Sequence, residues 1–329
     1  MDGTMRALAY ERYGPPEVQA VRQLPIPRPG RGEVLVRVRA AGLNPKDVLV
    51  RKGKFKRIGA APFPRVCGYD FAGEVAALGP GAAGVRVGEA VYGMLNRWAA
   101  GAAAEFVAVP MGELAPMPAL GEGQDAFERA AAVPLAALTA LQALRDCLRL
   151  APGARVLING ASGGVGTFAV QLARLFGASG VSTSSAQNRA LCRELGAQEA
   201  LDYAVDDLAA AGPFDAVFDV FGSLPAPRAR PLLRAGGRYV TAIPSARSVV
   251  QDILTRWSRR PARLVVVRSR RRDLEALTGW LVQGELRPVV DRIYPLEAGP
   301  EAHRYVETKR ARGKVVLRVS DAPGVCDPM

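Results

Sequence analysis

The sequence predicts an α/β protein in which a doubly wound parallel sheet is joined to a smaller, β-rich barrel domain. Three observations carry that expectation: strand-like and helix-like segments alternate from residue 155 onward, short apolar runs broken by Gly and Pro fill the segment before residue 120, and a glycine-rich turn follows the first strand of the alternating part. The 329 residues suffice for about two domains with cores of their own. A composition of 49% hydrophobic and 23% charged residues excludes wholesale disorder.

Each element follows from local pattern. In Glu33–Ala40, Val34, Val36 and Val38 fall on one face and Leu35, Arg37 and Arg39 on the other, the period of a half-buried strand. Val85–Tyr92, beyond Gly79-Pro80-Gly81, is expected to be another barrel strand. Ala-rich helical sequence starts at residue 124 and leads through Pro152-Gly153 to a strand at Arg155–Asn159. Val181–Ser184, Glu199–Leu201, Ala216–Val220 and Arg238–Ala242 are strand-like with helical stretches between most of them, which predicts βαβ units. A helix over Asp273–Gln283, the segment Arg287–Val290 and a strand at Lys314–Val319 follow. The expected domains are 1–123, 124–270 and a C-terminal return, 271–329.

Net charge is +13, from 44 Lys and Arg against 31 Asp and Glu. Eight arginines and no acid lie within 256–272. The apolar run Leu264–Val267 inside that stretch reads as a buried strand with arginines splayed at both ends. A solvated role is favoured over contact with a phosphorylated small molecule, and nucleic acid or membrane stands behind both, since no RNA-binding signature or zinc finger accompanies the charge. Cys67, Cys147, Cys192 and Cys326 contain no C-x-x-C pair, so neither a disulfide scaffold nor a zinc ribbon is indicated. The first residues lack an apolar signal core, and a cytoplasmic location is expected. The uncharged stretch Val156–Ala173 is long enough for a membrane span, but its four glycines, Asn159, Ser162, Thr167 and Gln171 argue against one.

The chemistry centres on Gly160-Ala161-Ser162-Gly163-Gly164-Val165-Gly166, between the strand at 155–159 and a helix whose Val165, Phe168, Ala169, Leu172 and Phe176 share one face. Glycines there let the chain turn tightly and approach a pyrophosphate, and the helix N-terminus offers unpaired N–H groups to the anion. A dinucleotide site is expected. The second strand ends in Val181-Ser182-Thr183-Ser184-Ser185-Ala186-Gln187-Asn188-Arg189, without the acid that commonly binds a ribose 2′-hydroxyl. Two hydroxyls and a guanidinium would tolerate a 2′-phosphate, so NADPH is favoured, with NADH not excluded; Arg189 is alternatively an ordinary surface residue.

With these residues in place the whole chain resembles the medium-chain dehydrogenase/reductase superfamily, in its zinc-free quinone oxidoreductase and enone reductase branch. The matching motifs are Ala41–Asp47, Gly68–Val75, Gly88–Gly93, Ala137–Ala140, the glycine loop and Ala311–Leu317. The resemblance implies a Rossmann domain inserted into a GroES-like β-barrel substrate domain formed by both chain ends, with the site in the cleft, and a homodimer. Zinc alcohol dehydrogenases of the superfamily put Cys where this chain has Asn44 and His where it has Tyr69, so no catalytic zinc is expected. Reducing a polarised C=C bond needs only orientation and stabilisation of an enolate oxygen.

By the same resemblance Asn44, Tyr69 and Lys46 are the expected catalytic residues: Asn44 donates an amide N–H, Tyr69 a phenolic proton or a packing surface, and Lys46 a cation to the enolate. Their bland alternatives are a turn-forming Asn44, a barrel-packing Tyr69 and a solvated Lys46. Thr139 is expected at the phosphates or the nicotinamide ribose, and Ser162, Gly163, Gly164 and Val165 at the pyrophosphate. Ser184, Ser185, Asn188 and Arg189 are assigned to the adenosine ribose, Tyr203 to adenine, and Phe221 and Ile243 to the nicotinamide side. Arg312 to Lys314 are expected to close the cleft. Phe55 stands where related enoyl-thioester reductases often carry a tyrosine acid, and Leu49 where several quinone oxidoreductases carry a tyrosine. His303 is read as surface or packing, and Cys67 as a small buried hydrophobe. The expected substrate is an α,β-unsaturated carbonyl, such as a quinone or enone. The alternatives are an enoyl-CoA reductase, whose substrate phosphates the arginine stretch would meet, and a redox-silent protein binding RNA or a protein partner.

Overall fold

The computed structural model describes residues 3–56, 61–120 and 125–320; Cys326 and the expected helix start at residue 124 lie outside them. Along the chain run β1 (Thr4–Tyr10), β2 (Gln19–Pro25), β3 (Glu33–Leu43), α1 (Pro45–Arg51), β4 (Arg65–Val66), β5 (Asp70–Leu78), β6 (Ala90–Met94), β7 (Phe106–Pro110), β8 (Leu114–Pro116), α2 (Ala126–Ala131) and α3 (Pro134–Gln142). Then come β9 (Arg155–Asn159), α4 (Gly164–Leu175), β10 (Ser179–Ser184), α5 (Arg189–Glu194), β11 (Glu199–Asp202), β12 (Phe214–Asp219), α6 (Ala226–Ala229), β13 (Leu233–Thr241), α7 (Ala246–Thr255) and β14 (Ala262–Leu264). After these follow α8 (Arg271–Val282), β15 (Val290–Pro295), α9 (Gly299–Glu307) and β16 (Lys314–Arg318). Residues 1–134, 269–278 and 290–329 form one unit, and residues 135–268 and 279–289 a second.

The first unit is built on β-ladders. One sheet has the order β15-β16-β3-β5-β6-β8, with β7 also paired to β3, and a smaller one the order β2-β1-β4. In β3, Val34, Val36 and Val38 are buried while Arg37 and Arg39 are part-exposed, but Leu35, expected on the open face, is buried as well, so the period-2 alternation holds only over residues 36–39. The ladder β3–β5 sets Gly42 opposite Asp70, and β16–β3 sets Val315 opposite Leu43. Those two registers place the end of β3, the start of β5 and the start of β16 side by side.

The second unit holds a six-stranded sheet of order β11-β10-β9-β12-β13-β14, parallel at every pair. Counted from β9, this is the doubly wound order 3-2-1-4-5-6, and the direction of winding reverses at β9. Val156, Leu157 and Ile158 in β9 are fully buried, as a central parallel strand covered on both faces requires. The core around them takes in Val181, Phe214, Val217 and Tyr239.

Three local expectations are corrected. Val85–Glu89 is not strand: residues 87 and 88 are in a turn, closed by Glu89 N–H donating to the Arg86 carbonyl at 3.0 Å, with Gly88 at φ +85°, and the strand starts only at Ala90. The Ala-rich helix is two helices, because Pro134 disfavours helical geometry at Val133 and starts α3 afresh. In the arginine stretch the strand is Ala262–Leu264, at the sheet edge, and Val266 beyond it is exposed.

Candidate functional site

In the second unit the predicted coenzyme residues collect at the carboxyl ends of the parallel strands, where open α/β sheets bind ligands. β9 ends at Asn159 and turns through Gly160, at φ +88°, into α4. A Cβ on Gly160 would lie 2.8 Å from Phe221 Cβ, and one on Gly166 2.2 Å from the Gly160 carbonyl oxygen, so both glycines serve the turn itself. Gly163 differs. Its φ is −83° and a Cβ there would find its nearest neighbour 3.8 Å away. Folding therefore does not demand glycine at 163, whereas a pyrophosphate lying against the first turn of α4 does. The first N–H groups of a helix lack intrahelical partners and present a positive dipole end, so Ser162, Gly163, Gly164 and Val165 fit the phosphate cradle.

Beside the loop, Asn188 donates from Nδ2 to Ser162 Oγ and to Ser185 Oγ, both at 3.2 Å. Its Oδ1 is buried without a hydrogen-bond partner, an acceptor waiting for a donor such as a ribose hydroxyl. Ser184 is buried and donates to the Ser185 carbonyl at 3.1 Å, which makes Ser185 the accessible hydroxyl of the pair. Arg189 donates from Nε to the Ala200 carbonyl of β11 at 2.7 Å, so its guanidinium is anchored at the sheet rather than loose on the surface. Tyr203 is exposed, and its N–H donates to the Ser184 carbonyl at 3.2 Å. Phe221 and Ile243, also exposed, follow β12 and β13. Thr139 is buried and spends its proton on the Leu135 carbonyl at 2.7 Å; it can accept from a ribose hydroxyl but has no proton for a phosphate.

Sequence reasoning missed the polar web beneath this loop. Asp219, buried at the end of β12, accepts from Asn159 Nδ2 at 2.7 Å, the Gly222 N–H at 2.8 Å and the Tyr239 hydroxyl at 3.3 Å. Thr183 Oγ1 donates to Asn159 Oδ1 at 2.7 Å and accepts the Gly160 N–H at 3.3 Å. Burial raises the Asp219 pKa. The only signal was an uninterrupted strand ending in a polar residue.

In the first unit the structure gathers Asn44, Lys46 and Tyr69 but gives them new tasks. Asn44 caps α1; its backbone N–H donates to Asp47 Oδ2 at 2.9 Å. Its Nδ2 donates to Asp70 Oδ2 at 3.0 Å and to the Gly42 carbonyl at 3.3 Å, while Oδ1 accepts from Lys314 Nζ. Both amide hydrogens are thus in use and the residue is 2% exposed, which corrects the expectation that Asn44 donates to a substrate. Lys314, expected to close the cleft, is buried in the same unit, where its ammonium bonds the Leu43 carbonyl at 3.0 Å and Asp70 at 3.1 Å. Arg312 is exposed, with its N–H donated to Asp291 Oδ2 at 3.1 Å.

Asp47 Oδ1 accepts the Gly68 N–H at 3.0 Å, and burial, then the Asp70 carboxylate, pushes the Asp47 pKa up to about 6. Tyr69 is buried and its hydroxyl donates to the Trp98 carbonyl at 3.0 Å; burial and then Asp47 raise its pKa. Lys46 lies half-buried with Nζ 3.6 Å from the Tyr69 ring centroid and 5.5 Å from that of Trp98, whose ring is 5.3 Å from Phe55. Cys67 is buried, its thiol pushed up to about 12 by burial, and His303 is buried in α9. Among the described residues no three His, Cys, Asp or Glu side chains meet as a metal site.

Residues 30–119 match the model of an alcohol dehydrogenase GroES-like domain, and residues 195–317 that of a zinc-binding dehydrogenase. The chain is 34% identical to the 2-methylene-furan-3-one reductase of Solanum lycopersicum, over 95% of this chain and 79% of that protein. It is likewise 34% identical to the NADPH-dependent alkenal/one oxidoreductase, chloroplastic, of Arabidopsis thaliana, with the same coverage. The quinone oxidoreductase from Coxiella burnetii superposes with a TM-score of 0.87 at 31% identity, over 96% of this chain and all of that one.

Proposed function

Since the chain belongs to the medium-chain dehydrogenase/reductase superfamily, among its quinone oxidoreductases and enone reductases, we propose that it reduces an activated C=C bond of a quinone, enone or other α,β-unsaturated carbonyl with NADPH and without a metal. The observation that carries this reading is the open face of Gly163 at the start of α4 on the carboxyl edge of the sheet. Ser162–Val165 hold the pyrophosphate, and Ser185, Asn188 and Arg189 the adenosine ribose and its 2′-phosphate, in a segment, 181–189, that carries no acid of its own. When bound, the coenzyme supplies a hydride to the β-carbon of the substrate.

Negative charge then develops on the carbonyl oxygen. Lys46 stabilises the enolate with its ammonium, held over the Tyr69 ring. Asn44 and Lys314, locked to Asp70, fix the start of α1 and so position Lys46 two residues along. Phe55 and Trp98 offer an apolar wall for an unsaturated substrate. Neither Tyr69, committed to Trp98, nor Phe55 gives up a proton, so water protonates the α-carbon.

Oxidation of NADPH followed with a quinone, an enone and an enoyl-CoA tests the reading. Turnover with the first two is expected, and Lys46→Met should lower kcat by about 100-fold, the size of one lost oxyanion partner, with unchanged coenzyme affinity. Silence with all three substrates, or one zinc per chain in the purified protein, would overturn it.

A further inference from the structure

At the amino edge of the parallel sheet, opposite the glycine turn, three arginines line a hollow of about 450 Å³. Its walls are the turn before β9, residues 148–154, and the start of β13, residues 234–238. β9 opens with Arg155 and closes with Asn159, so four steps of about 3.3 Å separate this hollow from the coenzyme residues by roughly 13 Å. Two departures from ordinary backbone set the cations there. Arg149 has φ +52°, the left-handed conformation in which a helix end ordinarily carries glycine, because a Cβ crowds the next carbonyl. The turn around it is otherwise a regular helix end, with the Leu148 and Leu150 N–H groups donated to the Ala143 and Leu144 carbonyls, both at 2.9 Å. Glycine would suit that turn better, yet an exposed arginine stands in it. In β13 the ladder with β12 pairs Phe214 with Leu233 and then Ala216 with Arg238, so residues 234–237 bulge out of register. A bulge re-aims the side chains beside it, and this one sets Arg234 and Arg238 on the same hollow as Arg149.

Positive charge is left over in this hollow. Among the described residues Asp215 is the acid that lines it, and its carboxylate is engaged already: Oδ2 accepts the Arg155 N–H at 2.8 Å, and both oxygens lie 3.2 Å from Arg234 Nη1. The guanidinium groups of Arg149 and Arg238 have no partner among the described residues. Two forked cations on one concavity match a dianion, and the guanidinium fork fits phosphate oxygens in pairs. Small-molecule sites begin at about 300 Å³, so the space calls for an organic body behind the phosphate. That body meets Leu150, Pro152 and Ala235, and among the described residues no aromatic ring lines the hollow to stack a base. We propose that Arg149 and Arg238 bind here a phosphate monoester without an aromatic base, of the sugar-phosphate class. The site belongs to the second unit alone and does not depend on which bond the protein reduces.

Calorimetric titration of the full chain, with NADPH in excess to fill the coenzyme site, tests the proposal with glucose 6-phosphate, glucose, AMP and inorganic phosphate as probes. Saturable binding of a single glucose 6-phosphate per chain is expected, tighter than that of AMP or inorganic phosphate, and none of glucose. Arg149→Gly and Arg238→Gln should each weaken it about 10-fold or more, the worth of one charged hydrogen bond. Because glycine takes a positive φ freely, Arg149→Gly should also leave the melting midpoint unchanged or raise it, which separates lost binding from lost folding. A lowered midpoint in that variant would assign the guanidinium to the fold and overturn the proposal. So would absence of binding, or undiminished affinity in either variant. Equal affinity for inorganic phosphate would show an adventitious ion only, and tighter binding of AMP a site for a nucleotide; each contradicts the proposal.

Discussion

His303 has 1% of its surface exposed, and neither ring nitrogen has a hydrogen-bond partner. Burial, and after it the Arg51 guanidinium, lowers its pKa from 6.5 to about 3. Between those values the unfolded chain binds a proton that the fold refuses, so stability falls as pH drops through the window. The loss is of order 5 kcal/mol at most, at about 1.4 kcal/mol per pH unit. Asp47, held near 6 against an ordinary 3.8, acts in the opposite sense: the fold binds the extra proton, and its contribution shrinks as pH rises from about 4 to 6. Removing the imidazole isolates its share. His303→Leu should lose less stability than wild type between pH 7 and pH 5 in urea unfolding; equal losses would show that His303 is already charged in the fold. Its place in a helical pattern left surface and packing both open for His303, and the burial that decides between them depends on what lies across from α9.

Among the elements, the capped start of α1 shows how local sequence and ladder register share one structure. From the sequence Asn44-Pro45 reads only as a turn, whereas the structure makes it a helix N-terminus, with a capping residue, a proline at the first turn and an acid reaching back. The Asn44 amide, however, points away from α1 to Asp70 of β5 and Lys314 of β16. Lys314→Met would leave Asp70 buried without its cation, and a loss of about 3–5 kcal/mol in unfolding free energy is expected. Combining it with Asp70→Asn should recover part of that loss, as measured by denaturant unfolding; strict additivity of the two changes would mean that they are not coupled. The same contrast appears in β6, which begins five residues later than apolar alternation suggests because a glycine at positive φ belongs to a turn.

For the molecule as a whole, the separation into two units makes a variant diagnostic. Gly163→Leu has an ordinary φ of −83° and room for its Cβ, so the fold should persist with an unchanged melting midpoint. Coenzyme affinity should nevertheless fall about 100-fold or more, because the side chain fills the phosphate cradle. Retained affinity, measured by titration with NADPH, would place the pyrophosphate elsewhere. The strand, glycine turn and helix at 155–175 were determined by the sequence alone, since backbone sterics and hydrophobic period act over a few neighbouring residues. The meeting of Asn44 with Asp70, 26 positions on, and with Lys314, 270 positions on, was decided by tertiary structure. So was the meeting of Arg149 with Arg238 at the amino edge of the sheet. No local pattern encodes either, because strand register and the choice of buried face are settled only when distant segments compete for the same neighbours.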